Sequence, residues 1–413
     1  MSGDVGSQWL CVVGGSASHV PFVQRAEEQG IATIVIDRNA DAPARRYATR
    51  FEAISTHDGE LAVSLLESLG AKINLRGCFT YSSFEPALAT AALIVDRFKL
   101  KGSSSSVQQL VSDKLAWRKR LEATGVQVPA WVASSVPAEV MAFSSEHGDV
   151  IVKPGRGTAG SSGVALLRDG IDVQALISNA KQASTDGSVL VESFCYGLEF
   201  SVDGCVSGGN CQVLALSRKH TKRYGSGVLP DGFVIDYHHP SVASLRDRVQ
   251  ELLEAVVYAL RLDDTFVSLD VLVSGSALVV IDVGLLLDAK IDRLLHFVGV
   301  DVYGLAVSLA MGQVDAFEGP STPISETCGL RFLYSSVAGQ IHGIDEDRCF
   351  SANTDGQASG IRIEAEQAVG DAVRPPRSLA DVVAVAYATG VSAELVWRDL
   401  LDVELDEYVT IEA

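Results

Sequence analysis

The run Val150-Ile151-Val152-Lys153-Pro154, leading into Gly155-Arg156-Gly157-Thr158-Ala159-Gly160-Ser161-Ser162-Gly163-Val164, constrains this chain more than any other segment. Three β-branched residues read as a buried strand, and a lysine at the end of such a strand is costly unless an anion meets it. The four glycines that follow let backbone amides approach a negative group that side chains would block. A polyphosphate satisfies the lysine and the amides together. A mobile hairpin whose lysine snorkels to solvent accounts for the same residues and stays open at this point.

About forty residues on, Val189-Leu190-Val191-Glu192-Ser193-Phe194 precedes Gly197-Leu198-Glu199-Phe200-Ser201-Val202-Asp203, so one strand ends in an acid and the next opens with another. An adenine wants a backbone edge, as around Phe194, and a ribose wants carboxylates. Two strand-end acids that face water are the competing account. Lys153 with its loop, then Glu192, then Glu199, resembles the ATP-grasp fold of carboxylate-amine ligases, the branch of L-amino acid ligases and biotin carboxylases. The resemblance extends to Ser112-Asp113-Lys114-Leu115-Ala116-Trp117-Arg118, where the family places a phosphate-binding lysine on a helix, and to the Gly125-Val126-Gln127-Val128-Pro129 that follows. It covers roughly residues 9 to 390.

The resemblance implies ATP and Mg2+ as cofactors and small-molecule carboxylate and amine substrates, amino acids among them. It implies amide or peptide bond formation through an acyl phosphate, with ADP and phosphate released, in a homodimer. Lys114 and Lys153 would then hold phosphates, Gly157, Ser161 and Ser162 would cover them, and Glu192, Phe194 and Glu199 would position adenosine. The implied architecture is α/β in three parts: a Rossmann-like parallel domain over 1–105, an ATP-grasp domain over 106–312 with a glycine-rich lid at about 133–190, and a small β-rich C-terminal lobe over 313–413.

Length and charge agree with an enzyme of two or three domains. The chain has 413 residues and a formal net charge of −19, which argues against nucleic acid and against an anionic membrane surface as partners. ATP still binds where local lysines and magnesium set the field. No apolar run reaches membrane-span length, and residues 1–8 lack a signal-peptide pattern, so a cytoplasmic location is expected. Seven cysteines, Cys11, Cys78, Cys195, Cys205, Cys211, Cys328 and Cys349, without a C-x-x-C pair, read as reduced core residues.

Alternating apolar runs at 9–13, 31–37 and 77–81, with helical patterns at 21–29 and 61–69, predict a parallel α/β unit. The turn Gly14-Gly15-Ser16-Ala17-Ser18-His19 with Asp37 invites a dinucleotide reading but fails the G-x-G-x-x-G spacing. Glu85, in the loop after the third strand, is a candidate for the substrate cavity or else a helix-start acid favoured by the dipole.

The most unusual local chemistry lies in Phe266-Val267-Ser268-Leu269-Asp270-Val271-Leu272-Val273 and Ala277-Leu278-Val279-Val280-Ile281-Asp282-Val283, two strand-like runs around Ser274-Gly275-Ser276. With a turn centred near Ser276, Asp270 and Asp282 face each other at about 5 Å between Cβ atoms. Two such charges repel by about 3 kcal/mol at an effective dielectric near 20, so a proton or a cation should intervene. Magnesium bridging ATP phosphates is the expected cation. A one-residue bulge that slips the register and sends both acids to solvent is the alternative.

Here the chain departs from the family. The family's pattern at the second acid is Glu-x-Asn-x-Arg, whereas this chain reads Asp282-Val283-Gly284-Leu285-Leu286. One neutral ligand and one cation are missing. Asp288, Lys290 or Arg293 supplies them from the next turn, or catalysis is impaired and the protein binds nucleotide in a partner or regulatory role. The basic cluster Ser217-Arg218-Lys219-His220-Thr221-Lys222-Arg223-Tyr224-Gly225 gives Lys219 as the catalytic candidate, with a solvated loop as the rival account. His238 and His239 have no third ligand at zinc spacing, and Arg331 is a positional candidate for the cavity.

Overall fold

The computed structural model describes residues 7–157, 162–168, 171–224, 227–236, 240–314, 327–345 and 361–412. Ser161, Cys349, His238 and His239 lie outside the described residues. The N-terminal apolar runs form a four-stranded parallel sheet in the order Arg50–Glu52, Ala32–Ile36, Gln8–Val13, Asn74–Phe79. The helices Val20–Glu28, Gly59–Leu69 and Glu85–Phe98 cover it. This is the α/β unit expected from the alternation of patterns.

A twelve-stranded sheet forms the rest of the frame. One end runs Ala277–Gly284, Thr265–Ser274, Leu198–Ser207, Asn210–Tyr224, Gly227–Ile235, and the other Ala165–Leu167, Val150–Pro154, Val189–Ser193, Trp131–Ala133. The two ends are joined through Gly227 paired with Ala165. Helix Pro240–Leu260 lays Val249, Leu253, Val256, Val257 and Leu260 against the first end, a stripe at helical spacing that hides the sheet from water. The basic run 217–224 belongs to strand Asn210–Tyr224, so the solvated-loop account of it does not hold.

The C-terminal strands mostly extend this same sheet. Thr327–Tyr334 pairs with Gly227–Ile235, Val382–Gly390 pairs with Thr327–Tyr334, and Ile361–Ala365 closes the edge. A separate three-stranded sheet comprises Ala372–Val373, Gly339–Ile344 and Val409–Glu412. Arg331, the positional candidate for the cavity, is engaged at a helix end. Its guanidinium donates to the carbonyls of Leu400, Leu401 and Val403 at 3.0, 3.1 and 3.0 Å, satisfying the C-terminal end of helix Ala393–Leu401.

Candidate active site

Antiparallel pairing explains why Lys153 does not stand alone. Ile151 lies opposite Glu192, so Lys153, two residues on, shares a sheet face with Glu192 as its diagonal neighbour. The ammonium sits 2.5 Å from Glu192 Oε2, and Arg118 donates to the other carboxylate oxygen through Nε and Nη2. Arg118 is fully buried over the ring of Trp117, with its Cζ 4.0 Å from the centroid. The Glu192 side chain is therefore paired with two cations and holds Lys153 in place. Burial is affordable for such charges only when they are paired and hydrogen-bonded.

The helix carrying Lys114 starts at a break. Helices Ser105–Ser112 and Lys114–Ala123 meet at Asp113, whose carboxylate accepts the amides of Leu115 and Ala116 at 3.0 and 2.9 Å. The base of the glycine-rich loop docks on this break: the Lys114 amide donates to the Gly155 carbonyl at 2.9 Å, and the Gly157 amide to the Ser112 carbonyl at 3.0 Å. Gly157 has φ of 105°, which a side chain would strain. Ser162 is half-buried in a turn beyond it. Docking aims Lys114 inward, where Nζ lies 3.0 Å from Asp282 Oδ1.

The hairpin pairs the two aspartates through the feature expected to separate them. The loop is Gly275-Ser276, with Ser274 opposite Ala277, a count that would set Asp270 against Ile281. A bulge after Asp270 leaves Ile281 unpaired and brings Asp270 opposite Asp282. The freed Ile281 carbonyl accepts Arg118 Nη2 at 2.8 Å. Arg118 thus ties the lysine wall of the cleft to the aspartate wall. The sequence pattern assigned it no role, although it lies one helical turn after Lys114, a spacing that marks a shared helix face.

Each aspartate has its own lysine. Lys219 Nζ lies 2.7 Å from Asp270, 3.3 Å from Asp288 and 3.6 Å from Glu199, and its side chain is buried. Burial opposes its charge, but the three acids outweigh it and hold its pKa well above the ordinary value. Asp203, fully buried and assigned no role from sequence, accepts the Asp288 amide at 2.6 Å and the Ser201 hydroxyl at 2.8 Å, which fixes Asp288 in this group. Burial first, then Asp288, push Asp203 up to about 7. Burial, then Asp288, Glu199 and Asp282, push Asp270 above the ordinary carboxylate range, against the pull of Lys219. Asp282 behaves oppositely: burial would raise it, but Lys114, Lys153 and Arg118 bring it down to about 2.

These hard oxygen donors, short of positive charge, fit a magnesium ion. Among the described residues no three acid, histidine or cysteine side chains converge tightly enough to hold a metal unaided, so Asp270 and Asp282 would hold one only with further oxygen donors.

Lys290 and Arg293 do not fill the place left by Gly284 and Leu286. Lys290, in the left-handed region at φ 64°, reaches Glu366 at 2.6 Å, and Arg293 reaches Glu364 at 2.7 Å and Glu366 at 3.0 Å. Acids at the C-terminal sheet edge hold both, and of the three expected substitutes only Asp288 joins the cleft. The Phe194 amide is spent on the Asp149 carbonyl at 2.8 Å, and its ring packs against Tyr196. Glu85 meets Arg156 at 3.3 Å and keeps one buried oxygen without a partner. Asp37 accepts the Gly15 amide at 2.8 Å and is not free for a dinucleotide ribose.

Residues 111–284 match the family model of an ATP-grasp domain. Solved structures share the whole fold. L-amino acid ligase from Bacillus licheniformis superposes with a TM-score of 0.76 at 18% identity, covering 98% of both chains. Phosphoribosylglycinamide synthetase from Anaerococcus prevotii gives 0.71 at 16%, covering 98% of this chain and 99% of that one. The biotin carboxylase domain of a Hydrogenobacter thermophilus 2-oxoglutarate carboxylase, solved with MgADP and bicarbonate, gives 0.73 at 14%, covering 98% and 90%. In sequence, the Sinorhizobium fredii uncharacterized protein y4rH is 29% identical over 149 residues, 35% of this chain and 30% of that protein's length. Among the described residues no helix is long and apolar enough to cross a membrane.

Proposed function

We propose that the protein is an ATP-dependent carboxylate-amine ligase of the cytoplasm, working as a homodimer on small substrates, amino acids among them. The observation that carries this reading is the convergence of Lys114 and Lys153 with Asp282 and Asp270 on one cleft, where Lys114 lies 3.0 Å from Asp282 and the charges of both lysines depress that acid. Lys114 and Lys153 hold the phosphates under the 155–163 loop, and Phe194 and Glu199 border adenosine. Asp270 and Asp282 would hold magnesium, which would offset charge on the transferring phosphoryl group. Lys219, beside Asp270, Asp288 and Glu199, would face the substrate carboxylate. The carboxylate oxygen attacks the terminal phosphorus and ADP leaves. The amine nitrogen next attacks the acyl carbon, phosphate leaves, and the nitrogen gives up its proton. Glu85, with one oxygen unpartnered, is available to accept from that amine.

Phosphate release with pairs of amino acids and amines tests the reading. The parent chain should release phosphate with at least one pair, and Lys153→Ala should abolish it; release by the variant at the parent rate would refute the assignment. A second reading, a nucleotide-binding protein with impaired catalysis and a regulatory role, has its own observation. Gly284 and Leu286 stand where the family has its asparagine and arginine, and Lys290 and Arg293 are engaged elsewhere. ATP binding without turnover on any pair would favour it.

A further inference from the structure

Leu286 lines an apolar recess with Leu88, Phe266 and Leu309, so the cation missing at that position has to come from elsewhere in the cleft. Arg156 stands on the base of the glycine-rich loop, and its backbone is fixed beside the lysine helix by a bridge to Asp113. The next residue, Gly157, has its carbonyl 3.5 Å from Lys114 Nζ, which itself meets Asp282 at 3.0 Å. Neighbouring Cα atoms are about 3.8 Å apart, so the Arg156 side chain is rooted at the phosphate end of the cleft. Its hold there is loose. Nε donates to Glu85 Oε1 at 3.3 Å and Nη1 stays 4.0 Å from Asp113 Oδ2, with the side chain 27% exposed. Glu85 takes the guanidinium through one oxygen only; the other is buried and unpartnered, 4.0 Å from where a Cβ at Gly157 would lie. Asp113 does not depend on Arg156, because its carboxylate already caps the amides of Leu115 and Ala116. Other arginines around the cleft are tied down: Arg118 is fully buried between Glu192 and the Ile281 carbonyl, and Arg293 reaches Glu364 at 2.7 Å.

We propose that Arg156 is the guanidinium that clamps the terminal phosphate of ATP, in place of the cation missing at Leu286, and that Glu85 holds it in reserve in the free protein. The inference rests on the ligase reading for the position of the phosphates and adds a residue to which that reading gives no part. Long, partly exposed ion pairs contribute little, so Arg156 changes partners at low cost, and its planar fork suits two phosphate oxygens better than the single Glu85 oxygen it leaves. A guanidinium at that place offsets charge on the transferring phosphoryl group. Glu85, once released, has both oxygens for the ammonium of an incoming amine.

Titration calorimetry on the full chain with magnesium tests it, using ADP and a non-hydrolysable ATP analogue with an imido-linked terminal phosphate as probes. Arg156→Gln should weaken the ATP analogue roughly tenfold or more and leave ADP within about twofold of the parent, because only the terminal phosphate is lost as a partner. Unchanged ADP binding also shows that the variant folds. Arg156→Lys, which keeps the charge without the fork, should recover part of the loss. Glu85→Gln frees Arg156, so it should bind the analogue more tightly than the parent with ADP unchanged, and the gain should vanish when Arg156→Gln is added. An equal loss of both nucleotides in Arg156→Gln would overturn the proposal by making Arg156 a fixed tie of the loop base, and so would no loss of either. Should Arg156→Gln fail to fold, Glu85→Gln decides alone: analogue affinity equal to or below the parent's overturns the reserve and the clamp together. A parent chain that binds neither nucleotide removes the ligase reading itself, whereas a parent that binds both, with Arg156→Gln losing neither, removes this inference only.

Discussion

Replacing Glu192 by Gln removes one negative charge between two buried cations and keeps the shape. At 2.5 Å and an effective dielectric near 20, the Lys153 attraction alone is about 7 kcal/mol before desolvation. Most of that offsets the cost of bringing the ions out of water, and stripping one partner from a buried pair costs about 3–5 kcal/mol. Glutamine still accepts one hydrogen bond from Arg118 or Lys153, so the lower end, about 3 kcal/mol, is expected. Lys153 is left with surplus charge, which an incoming phosphate offsets. The variant should therefore be less stable than the parent without nucleotide but gain more from ATP, because ligand stabilisation follows affinity for the native state. Urea unfolding followed by tryptophan fluorescence reads both effects, since Trp117 lies directly under Arg118. A loss under about 1 kcal/mol, with an ATP-induced gain equal to the parent's, would refute the view that Glu192 neutralises Lys153 and Arg118.

Gly157→Ala must place a Cβ at φ 105°, a strain of about 1–3 kcal/mol; nucleotide affinity should fall with it, and an unchanged dissociation constant would count against the docked loop base. His19 accepts the Tyr81 amide at Nε2 and contacts Ser16 Oγ at Nδ1, and burial lowers it from 6.5 to about 4. The unfolded chain binds that proton first, so the stability is present above about 6.5 and lost as pH falls through about 4, an amount near 3 kcal/mol. Unfolding of His19→Asn across that pH window should be flatter than the parent's. Gly284→Asn with Leu286→Arg restores the family pattern; at Gly284 a new Cβ meets Ser268 Oγ at 2.6 Å, which can rotate away. Phosphate release should rise in that double variant, and a fall would show that Asp288 already supplies the missing function. ATP should bind about tenfold or more weakly in EDTA than with magnesium, and equal affinity would remove Asp270 and Asp282 from the site.

Local patterning made much of this legible. The strand ending at Lys153, the hairpin around Gly275 and the N-terminal α/β alternation follow from period and turn chemistry, and each is present. The pairing of Asp270 with Asp282 was also legible, yet for an incomplete reason. Counting from a turn centred on Ser276 set the two face to face, whereas the actual Gly275-Ser276 loop leaves them one residue off and the bulge at Ile281 closes that gap. A bulge depends on what its freed carbonyl can find, here Arg118 from a helix more than a hundred residues earlier, and no local pattern carries that. The same limit explains Lys290 and Arg293. Their spacing suits the cleft, but their partners lie over seventy residues downstream at a sheet edge.

The charge inventory of the cleft dictates what must move when a nucleotide enters. Lys114 is held by Asp282 and Lys219 by Asp270, so both lysines begin as counterions to acids and neither is a free anion receptor. Were Lys114 to turn to a phosphate by itself, Asp282 would lose its nearest counterion just as a second anion arrived beside it. The unfavourable Coulomb energy would cancel much of the gain. Lys153 and Arg118 still act on Asp282, and a divalent cation entering with the nucleotide would replace the nearest of its three counterions. Asp270 and Lys219 face the same exchange, with Glu199 and Asp288 beside the lysine throughout. Ion pairs are thus traded one for one, at little net electrostatic cost. On the proposed reading, nucleotide and cation would raise each other's affinity by the same factor, because the same lysines occupy the acids in the free protein.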